Sequence, residues 1–358
     1  MAARKNVARP QTTGAHANTL KALGPATSPS PPLASPTTRV ASPTPFGNTF
    51  NNTLPRLVPE GVGQRAVSAI SRTLRPLSVG PNPSHVAALE QQPRKTWGAS
   101  SVQGRRPYQE DEYQVITPME ALTGNTSAEP TSFFAVFDGH AGGRCSKFLT
   151  NELARNIAED PAFQSDLAAA LNRGFLKTND IWMRIADQRQ MNDGSCCIVM
   201  IQRGRRLYVA NVGDSRAVLC SSSEVASLSF DQKPNRPLER RRIQAAGGRV
   251  VNCFGVSRVN GLLAVARAFG DRALRRIIKS DPEIVTRDLK DSDTFVVIAS
   301  DGLWDVITNQ EACDCVMKSR SDLPTTAQTL TSLALRKGSM DNTTALVIDV
   351  RNFREAAK

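Results

Sequence analysis

The chain has 358 residues, of which 40% are hydrophobic and 22% charged, and its formal net charge is +12. Most of that charge belongs to the first 96 residues, where eleven Lys and Arg face two acids; the remainder has 34 bases and 31 acids. Such a nearly neutral remainder gives no support for nucleic-acid binding. No apolar run reaches the ~18 residues that a membrane span requires. We therefore expect neither a nucleic-acid-binding protein nor a membrane-spanning one.

Residues 1–96 are predicted to form a disordered basic arm. The segment is rich in Pro, Ser, Thr and Ala, as in Ser28–Pro32. Such a segment buries too little apolar area to offset the entropy lost on ordering the chain. No acid precedes Glu60, which leaves a mitochondrial transit peptide open beside the cytoplasmic or nuclear location that we favour.

The seven cysteines form no C-x-x-C pair. Reduced thiols of an intracellular protein are the simplest interpretation of that pattern. A zinc cage is disfavoured because His140 is the only histidine after residue 96, and structural zinc sites built from Cys and His commonly need more such ligands.

The most informative pattern is an apolar run that ends in an acid. Phe133–Phe137 predicts a strand buried on both faces, and Asp138, Gly139 and His140 follow it directly. A carboxylate at the end of a buried strand is costly unless something neutralises it. A metal ion would do so, and a glycine lets the backbone carbonyl turn toward the same ion. The alternative is that Asp138 caps the helix that follows.

The same pattern returns further along the chain. Val296–Ala299 runs into Ser300, Asp301 and Gly302, and Asp341 precedes the apolar run Ala345–Ile348. Upstream, Glu110 and Asp111 lie between two β-like segments. Carboxylates at the ends of four strand-like runs are what a hard-cation site with oxygen ligands needs.

The remaining periodicity predicts an α+β fold, a largely antiparallel sandwich with helices outside. Helices are predicted over 145–157, 162–185, 238–246, 308–317 and 327–336. Strands are predicted over 112–116, 133–137, 195–201, 206–211, 217–220, 294–298 and 345–350, and order is expected to begin near Trp97.

Seven stretches together resemble the metal-dependent protein serine/threonine phosphatase family, the PP2C type. They lie at 100–111, 137–143, 210–217, 239–248, 263–271, 299–305 and 338–342, in the family's order. The resemblance implies a phosphatase domain over residues 97–352, followed by a short tail over 353–358. It also implies a four-layer α/β/β/α sandwich of two antiparallel sheets flanked by helices.

In function, the resemblance implies an enzyme that removes phosphate from phosphoserine and phosphothreonine on proteins, with two Mn²⁺ or Mg²⁺ ions. The metal ligands it implies are Glu110, Asp138, the Gly139 carbonyl, Asp301 and Asp341, with Asp138 bridging both ions. Water activated by the two ions would attack phosphorus in line. We expect a monomer that acts on phosphoprotein substrates.

Three further residues receive roles from the resemblance. Asp111 would hold water beside the ions, His140 would protonate the departing serine or threonine oxygen, and Arg106 would bind phosphate. Asp214 and Asp271 are interpreted as turn residues rather than ligands.

One departure from the family pattern concerns a third metal ion, which relatives bind with an acid three residues before Gly194. Met191 stands at that position and Asp193 is shifted from it, so a third ion is doubtful.

Two rival functions remain to be weighed. Cys197 and Arg203 have the C-x5-R spacing of cysteine-dependent phosphatases, but the residues between them have no glycine to cradle phosphate and predict a strand. The second rival is a catalytically weak or inactive phosphatase-like binding module. Loss of a metal carboxylate would favour it, and Glu110, Asp138, Asp301 and Asp341 are all present.

Overall fold

The computed structural model describes residues 95–122, 124, 130–319 and 322–351. The predicted disordered arm lies outside these residues except for its last two, and the tail over 353–358 lies outside them as well. None of the helices in these ranges is long and apolar enough to cross a membrane.

One antiparallel sheet joins the beginning of the described chain to its end. Its strand order is β1 (Trp97–Val102), β13 (Thr343–Asp349), β12 (Asp293–Ala299), β6 (Arg216–Ser221) and β7 (Val225–Ser227). β1 begins at Trp97, as the sequence predicts.

The second sheet is also antiparallel and is built around the apolar run that ends in Asp138. Its order is β11 (Glu283–Asp288), β5 (Arg206–Val212), β4 (Gly194–Arg203), β3 (Thr131–His140) and β2 (Glu112–Ile116). The short β10 (Phe269–Gly270) pairs with β4.

Strand β3 is buried on both faces because a helical layer covers one face and the other sheet covers the opposite one. Phe133 and Phe137 pack against α1 (Arg144–Ala158) and α2 (Leu167–Arg189), whereas Phe134 and Val136 belong to the core between the sheets. The alternation follows the two-residue period of a strand.

The first sheet is covered on its outer face by the C-terminal helices. These are α4 (Asp301–Trp304), α5 (Asn309–Lys318) and α6 (Leu323–Arg336), and they share a core with β12 and β13. The four layers are therefore helix, sheet, sheet and helix, and the predicted α+β sandwich is confirmed.

A smaller unit stands beside the second sheet. It contains α3 (Pro237–Ala245) and the two-stranded hairpin of β8 (Val250–Cys253) and β9 (Val256–Val259), with a core of its own around Ile243 and Val259. Short 3₁₀ turns lie at Met119–Leu122 and Arg272–Leu274. The sequence analysis predicted neither the hairpin nor β11.

The cysteines differ from the prediction in one respect. Cys220 on β6 and Cys313 on α5 form a disulfide across a sequence separation of 93 residues, so the prediction of reduced thiols is wrong for this pair. Both residues lie in the core between the first sheet and its helices, where strand and helix bring the two side chains together. The other five cysteines are free.

Candidate metal centre and active-site pocket

The two sheets bring the acidic ends of several strands to one pocket of about 310 Å³. Seven of the eight site residues named from the sequence line it: Arg106, Glu110, Asp138, Gly139, His140, Asp301 and Asp341. Asp111, the eighth, is not among the lining residues. The pocket thus brings seven of the predicted residues together, and the roles assigned to them stay predictions.

Three aspartates form a compact cluster within this pocket. Asp138 lies near the end of β3, Asp301 begins α4 and Asp214 follows β5, and each offers a carboxylate oxygen within 4.8 Å of the other two. Burial raises the pKa of Asp138 well above its usual range, and the negative charge of Asp301 raises it further. Burial and then Asp214 raise the pKa of Asp301 in the same way. Carboxylates crowded in this manner fit a cation-binding site.

The place of Asp214 differs from the prediction that it serves a turn. It does follow the turn at Gly213, but its carboxylate also joins the cluster. The thiol of Cys196 donates a hydrogen bond to Asp214 Oδ1 at 3.2 Å, and Lys233 forms a salt bridge with Oδ2. The sequence contains a signal for this position, because Asp214 also follows an apolar strand and a glycine.

Glu110 and Gly139 lie against each other through their backbones. A Cβ atom at residue 139 would lie 2.4 Å from the Glu110 carbonyl oxygen, so only glycine permits this approach. That oxygen accepts a hydrogen bond from Ser146 Oγ at 2.6 Å. The Glu110 amide donates to Asn342 Oδ1 at 2.8 Å, which ties the segment before β2 to the segment before β13.

Arg106 and Asp341 form an ion pair at the edge of the pocket, with Nη2 and Oδ2 2.5 Å apart. The Arg106 side chain is 54% exposed, so the guanidinium can reorient toward the pocket without leaving a core position. Asn342 holds the loop that carries Arg106 by donating from Nδ2 to the carbonyl oxygens of Gln103 and Tyr108.

Asp111 lies behind the pocket, where it is 3% exposed. Its Oδ2 accepts a hydrogen bond from Ser300 Oγ at 2.8 Å. Burial raises the pKa of Asp111 to about 6, although hydrogen bonds from Ser300 and Thr344 oppose that shift. Asp111 therefore changes protonation closer to neutral pH than an exposed aspartate does.

His140 is paired with Asp271, which the sequence analysis assigned to a turn. Nε2 of the ring lies 2.9 Å from Asp271 Oδ2. Burial lowers the pKa of His140, but the charge and hydrogen bond of Asp271 outweigh burial, so the pKa stays above its ordinary value. No sequence pattern indicated this pair, because 131 residues separate the two side chains.

Both carboxylate oxygens of Asp193 are already hydrogen-bonded. Asp193 is the acid shifted from the position where relatives bind a third ion. Its Oδ2 accepts from Arg144 Nε at 2.7 Å and its Oδ1 from Arg144 Nη2 at 2.5 Å. Met191 is buried, and its carbonyl accepts from Arg272. A guanidinium thus already neutralises Asp193, the acid that is shifted from that position.

The cysteine-dependent alternative is not supported by the geometry. Cys197 and Arg203 both lie on β4, with extended strand between them. Burial raises the pKa of the Cys197 thiol well above its usual range. A buried, protonated thiol that faces the helical core cannot act as a nucleophile.

Comparison with known proteins identifies the family. A sequence model described as Protein phosphatase 2C matches residues 96–343. This chain belongs to the protein phosphatase 2C family. It is 41% identical over 254 residues to Probable protein phosphatase 2C 55 of Oryza sativa subsp. japonica, covering 71% of this chain and 65% of that one. It is 39% identical over 269 residues to Probable protein phosphatase 2C 59 of Arabidopsis thaliana, covering 75% and 83%.

The extent of these matches differs among relatives. The chain spans 65%, 50% and 66% of the length of the first three curated relatives that it matches. The fold is similar to that of the serine-threonine phosphatase 2C from Toxoplasma gondii, with a TM-score of 0.65, 22% identity and coverage of 71% of this chain and 94% of the other. This structural likeness supports the four-layer fold.

Proposed function

We propose that this member of the protein phosphatase 2C family hydrolyses phosphoserine and phosphothreonine on proteins, with two Mn²⁺ or Mg²⁺ ions. The observation that carries the proposal is the cluster of Asp138, Asp214 and Asp301 in a pocket that also contains Arg106 and His140. The three aspartates suit a divalent cation, Arg106 suits a phosphate and His140 suits a proton transfer.

The donor set fits hard cations. Every proposed ligand is an oxygen, from the carboxylates of Glu110, Asp138, Asp301 and Asp341 and from the Gly139 carbonyl, and hard cations prefer such ligands. Asp138 shares the cluster with Asp301 and is the residue proposed to contact both ions. Asp214 adds a carboxylate that the sequence analysis had not counted.

When bound, the two cations would supply Lewis acidity that activates water and stabilises negative charge on the phosphoryl oxygens. The chain itself supplies the recognition of phosphate. The planar guanidinium of Arg106 can turn from Asp341 into the pocket and donate two parallel N–H bonds to phosphate oxygens. Asp111, whose buried carboxylate lies outside the pocket lining, is the group proposed to orient water beside the cluster.

His140 is the proposed proton donor to the departing serine or threonine oxygen. Asp271 engages Nε2, so Nδ1 is the ring atom that can release a proton toward the pocket. The raised pKa of His140 keeps the ring protonated at a higher pH than is usual for histidine. The bond from phosphorus to the departing oxygen breaks as that oxygen takes the proton, which leaves a neutral hydroxyl.

The test is hydrolysis of a phosphothreonine peptide by the full chain with and without Mn²⁺, together with the Asp301→Asn variant. We expect metal-dependent turnover that falls at least about a hundredfold in this variant. Asp288→Asn is the matched control, because Asp288 on β11 forms an exposed ion pair with Arg206 on β5, and this variant should leave turnover unchanged. Folded wild-type chain that binds Mn²⁺ in calorimetry but gives no turnover would favour the inactive binding module.

A further inference from the structure

The hairpin of β8 and β9 carries an aromatic residue in an unfavourable place. Phe254 and Gly255 form its tip, with φ of +51° and +88°. Two positive φ angles are typical of hairpin turns that favour Asn-Gly, and a bulky residue at the first position is strained. The Phe254 side chain is also fully exposed, at 107%. Neither the strain nor the exposure helps the chain to fold, so the residue needs another explanation.

The strand register shows which residues share the outer face of the hairpin. Val251 pairs with Arg258 and Cys253 pairs with Val256, so these four side chains point to one face. Val259 on the opposite face is fully buried in the small core with Ile243. On the outer face Val251 is 41% exposed and Val256 is 46% exposed.

Arg258 connects this outer face to the active-site pocket. It lines the pocket together with Arg106 and Tyr108. Its Nη1 donates to the Leu262 carbonyl oxygen at 2.6 Å, which fixes the side chain and leaves other N–H groups for a ligand. Within residues 95–122, 124, 130–319 and 322–351, no carboxylate forms a salt bridge with it. The apolar strip thus begins at the pocket with an unneutralised cation.

We propose that the outer face of Arg258, Val251, Val256 and Phe254 docks the substrate segment that flanks the phosphorylated residue. This inference rests on the proposed function, because the flanking segment is defined by a phosphate held in the pocket. An acidic side chain beside the phosphorylated residue pairs with Arg258. An apolar side chain further along the segment packs on Val256 and Phe254.

The length of the hairpin sets the spacing of that recognition pattern. Arg258 lies four positions after Phe254, and a strand rises about 3.3 Å per residue, so the strip extends roughly 13 Å from the pocket. An extended substrate covers that distance in about four residues. The substrate class is therefore a phosphopeptide segment with an acid next to the phosphoresidue and an apolar residue about four positions beyond the acid.

Charge complementarity favours this occupant over others. The interior of the pocket is acidic and is reserved for cations and phosphate, whereas Arg106 and Arg258 provide positive charge where the substrate chain enters. A basic segment would be repelled by both arginines. The N-terminal arm of this chain is basic, with eleven Lys and Arg against two acids, so its charge does not match the pocket end of the strip.

The experiment compares phosphothreonine peptides of equal length on the full chain with Mn²⁺. Each matched peptide carries Asp beside phosphothreonine and Leu about four residues beyond that Asp. In one matched peptide these residues follow phosphothreonine, and in the other they precede it. Two singly changed peptides carry Lys in place of Asp or Ser in place of Leu, and the unmatched peptide carries both changes. We expect kcat/KM for one matched peptide to exceed that for the unmatched peptide by about tenfold.

Three variants test the hairpin face itself. Arg258→Gln should abolish the preference for Asp over Lys. Val256→Thr keeps a β-branched side chain in the strand, and Phe254→Asn suits the positive φ of the turn, so both should fold while losing the preference for Leu. Phe230→Asn is the matched control, because Phe230 is 58% exposed but lies outside the hairpin. It should keep the wild-type ratio between matched and unmatched peptides.

The possible outcomes separate this inference from the proposed function. If the wild-type chain has the same kcat/KM for matched and unmatched peptides, the docking face is overturned, even when p-nitrophenyl phosphate is hydrolysed. It is also overturned if the hairpin variants keep the wild-type ratio of these kcat/KM values. If the wild-type chain hydrolyses nothing, the proposed function fails, and fluorescence anisotropy of the labelled peptides decides the docking face. A matched-peptide Kd that rises in the variants then supports it, and an unchanged Kd overturns it.

Discussion

Nε2 of His140 lies 2.9 Å from Oδ2 of Asp271, across the junction of β3 with the segment that follows β10. Asp271 has a φ of +50° and is 7% exposed. The contact engages Nε2, so Nδ1 is not used by Asp271, and it keeps a negative charge beside the ring. The pair therefore governs both the direction of His140 and its protonation.

Replacing Asp271 by Asn should separate those two effects. Asn accepts the left-handed backbone and still fills the site, but it removes the charge that raises the pKa of His140. An acid catalyst works below its pKa, so the alkaline limb of the rate profile should lie above the ordinary value of 6.5 in the wild type and move to lower pH in the variant. A pH series of kcat with a phosphothreonine peptide measures this. p-Nitrophenyl phosphate is the control: its leaving group needs little protonation, so its pH profile should not depend on His140. A pH profile for the peptide that does not move in Asp271→Asn would contradict the prediction.

A buried ion-pair network should dominate the stability of the unit that carries the hairpin. Glu239 is 1% exposed and accepts from Arg267 Nε at 2.9 Å and from Arg242 Nε at 2.9 Å. Glu239→Gln removes the counter-charge of Arg242 and leaves Arg267 with the more distant Glu283, at 3.9 Å. It should cost about 3–5 kcal/mol in the free energy of unfolding. Urea denaturation at neutral pH measures the loss. Glu224→Gln on the surface is the matched control, with an expected cost of about 0–1 kcal/mol.

The same network predicts a pH dependence. Burial raises the pKa of Glu239, but Arg267 and Arg242 outweigh it, and the net pKa lies below the ordinary value of 4.5. A depressed pKa stabilises the folded state above the unfolded value, and that contribution is lost as the pH falls through the folded pKa. The stability difference between wild type and Glu239→Gln should therefore be constant above about pH 5 and shrink below about pH 4. A constant difference down to acid unfolding would argue against the network.

Local sequence patterns predicted most of the fold because they act over short distances. The predicted strand over 112–116 has the bounds of β2, and the helix predicted over 145–157 differs from α1 by one residue at each end. The prediction failed at the start of α2, which begins at Leu167 rather than residue 162. Asp166 caps that helix by accepting from the Ala169 amide, and this signal outweighs the apolar spacing upstream.

The missed elements depend on contacts that no local pattern encodes. The β8–β9 hairpin turns at Phe254-Gly255 instead of the favoured Asn-Gly, and β11 is half-exposed. At the site, strand-end carboxylates indicated which residues converge. Asp214 and Asp271 were interpreted as turn residues because their partners come from elements distant in the sequence.

The disulfide between Cys220 and Cys313 should be detectable by counting thiols. Alkylation of the denatured chain without reductant should label five cysteines, and prior reduction should raise the number to seven. Closing 93 residues into a loop should stabilise the chain by about 4–5 kcal/mol. Denaturation with and without reductant measures that contribution. The double variant Cys220→Ala, Cys313→Ala is the control, and its stability should be the same with and without reductant. Seven labelled cysteines without reduction would contradict the pairing.

Lys233 should weaken cation binding at the aspartate cluster. It forms a salt bridge with Asp214, and although burial lowers the pKa of Lys233, Asp214 and then Asp301 hold it above its ordinary value, so the lysine stays charged. A bound cation competes with that charge for the same carboxylate. Lys233→Met keeps the side-chain length and removes the charge, so the Kd for Mn²⁺ in calorimetry should fall by about threefold to tenfold. Lys290→Met, from an exposed pair with Glu224, is the control and should leave the Kd unchanged. A Kd that rises in Lys233→Met would show that the lysine supports the cluster instead of competing for it.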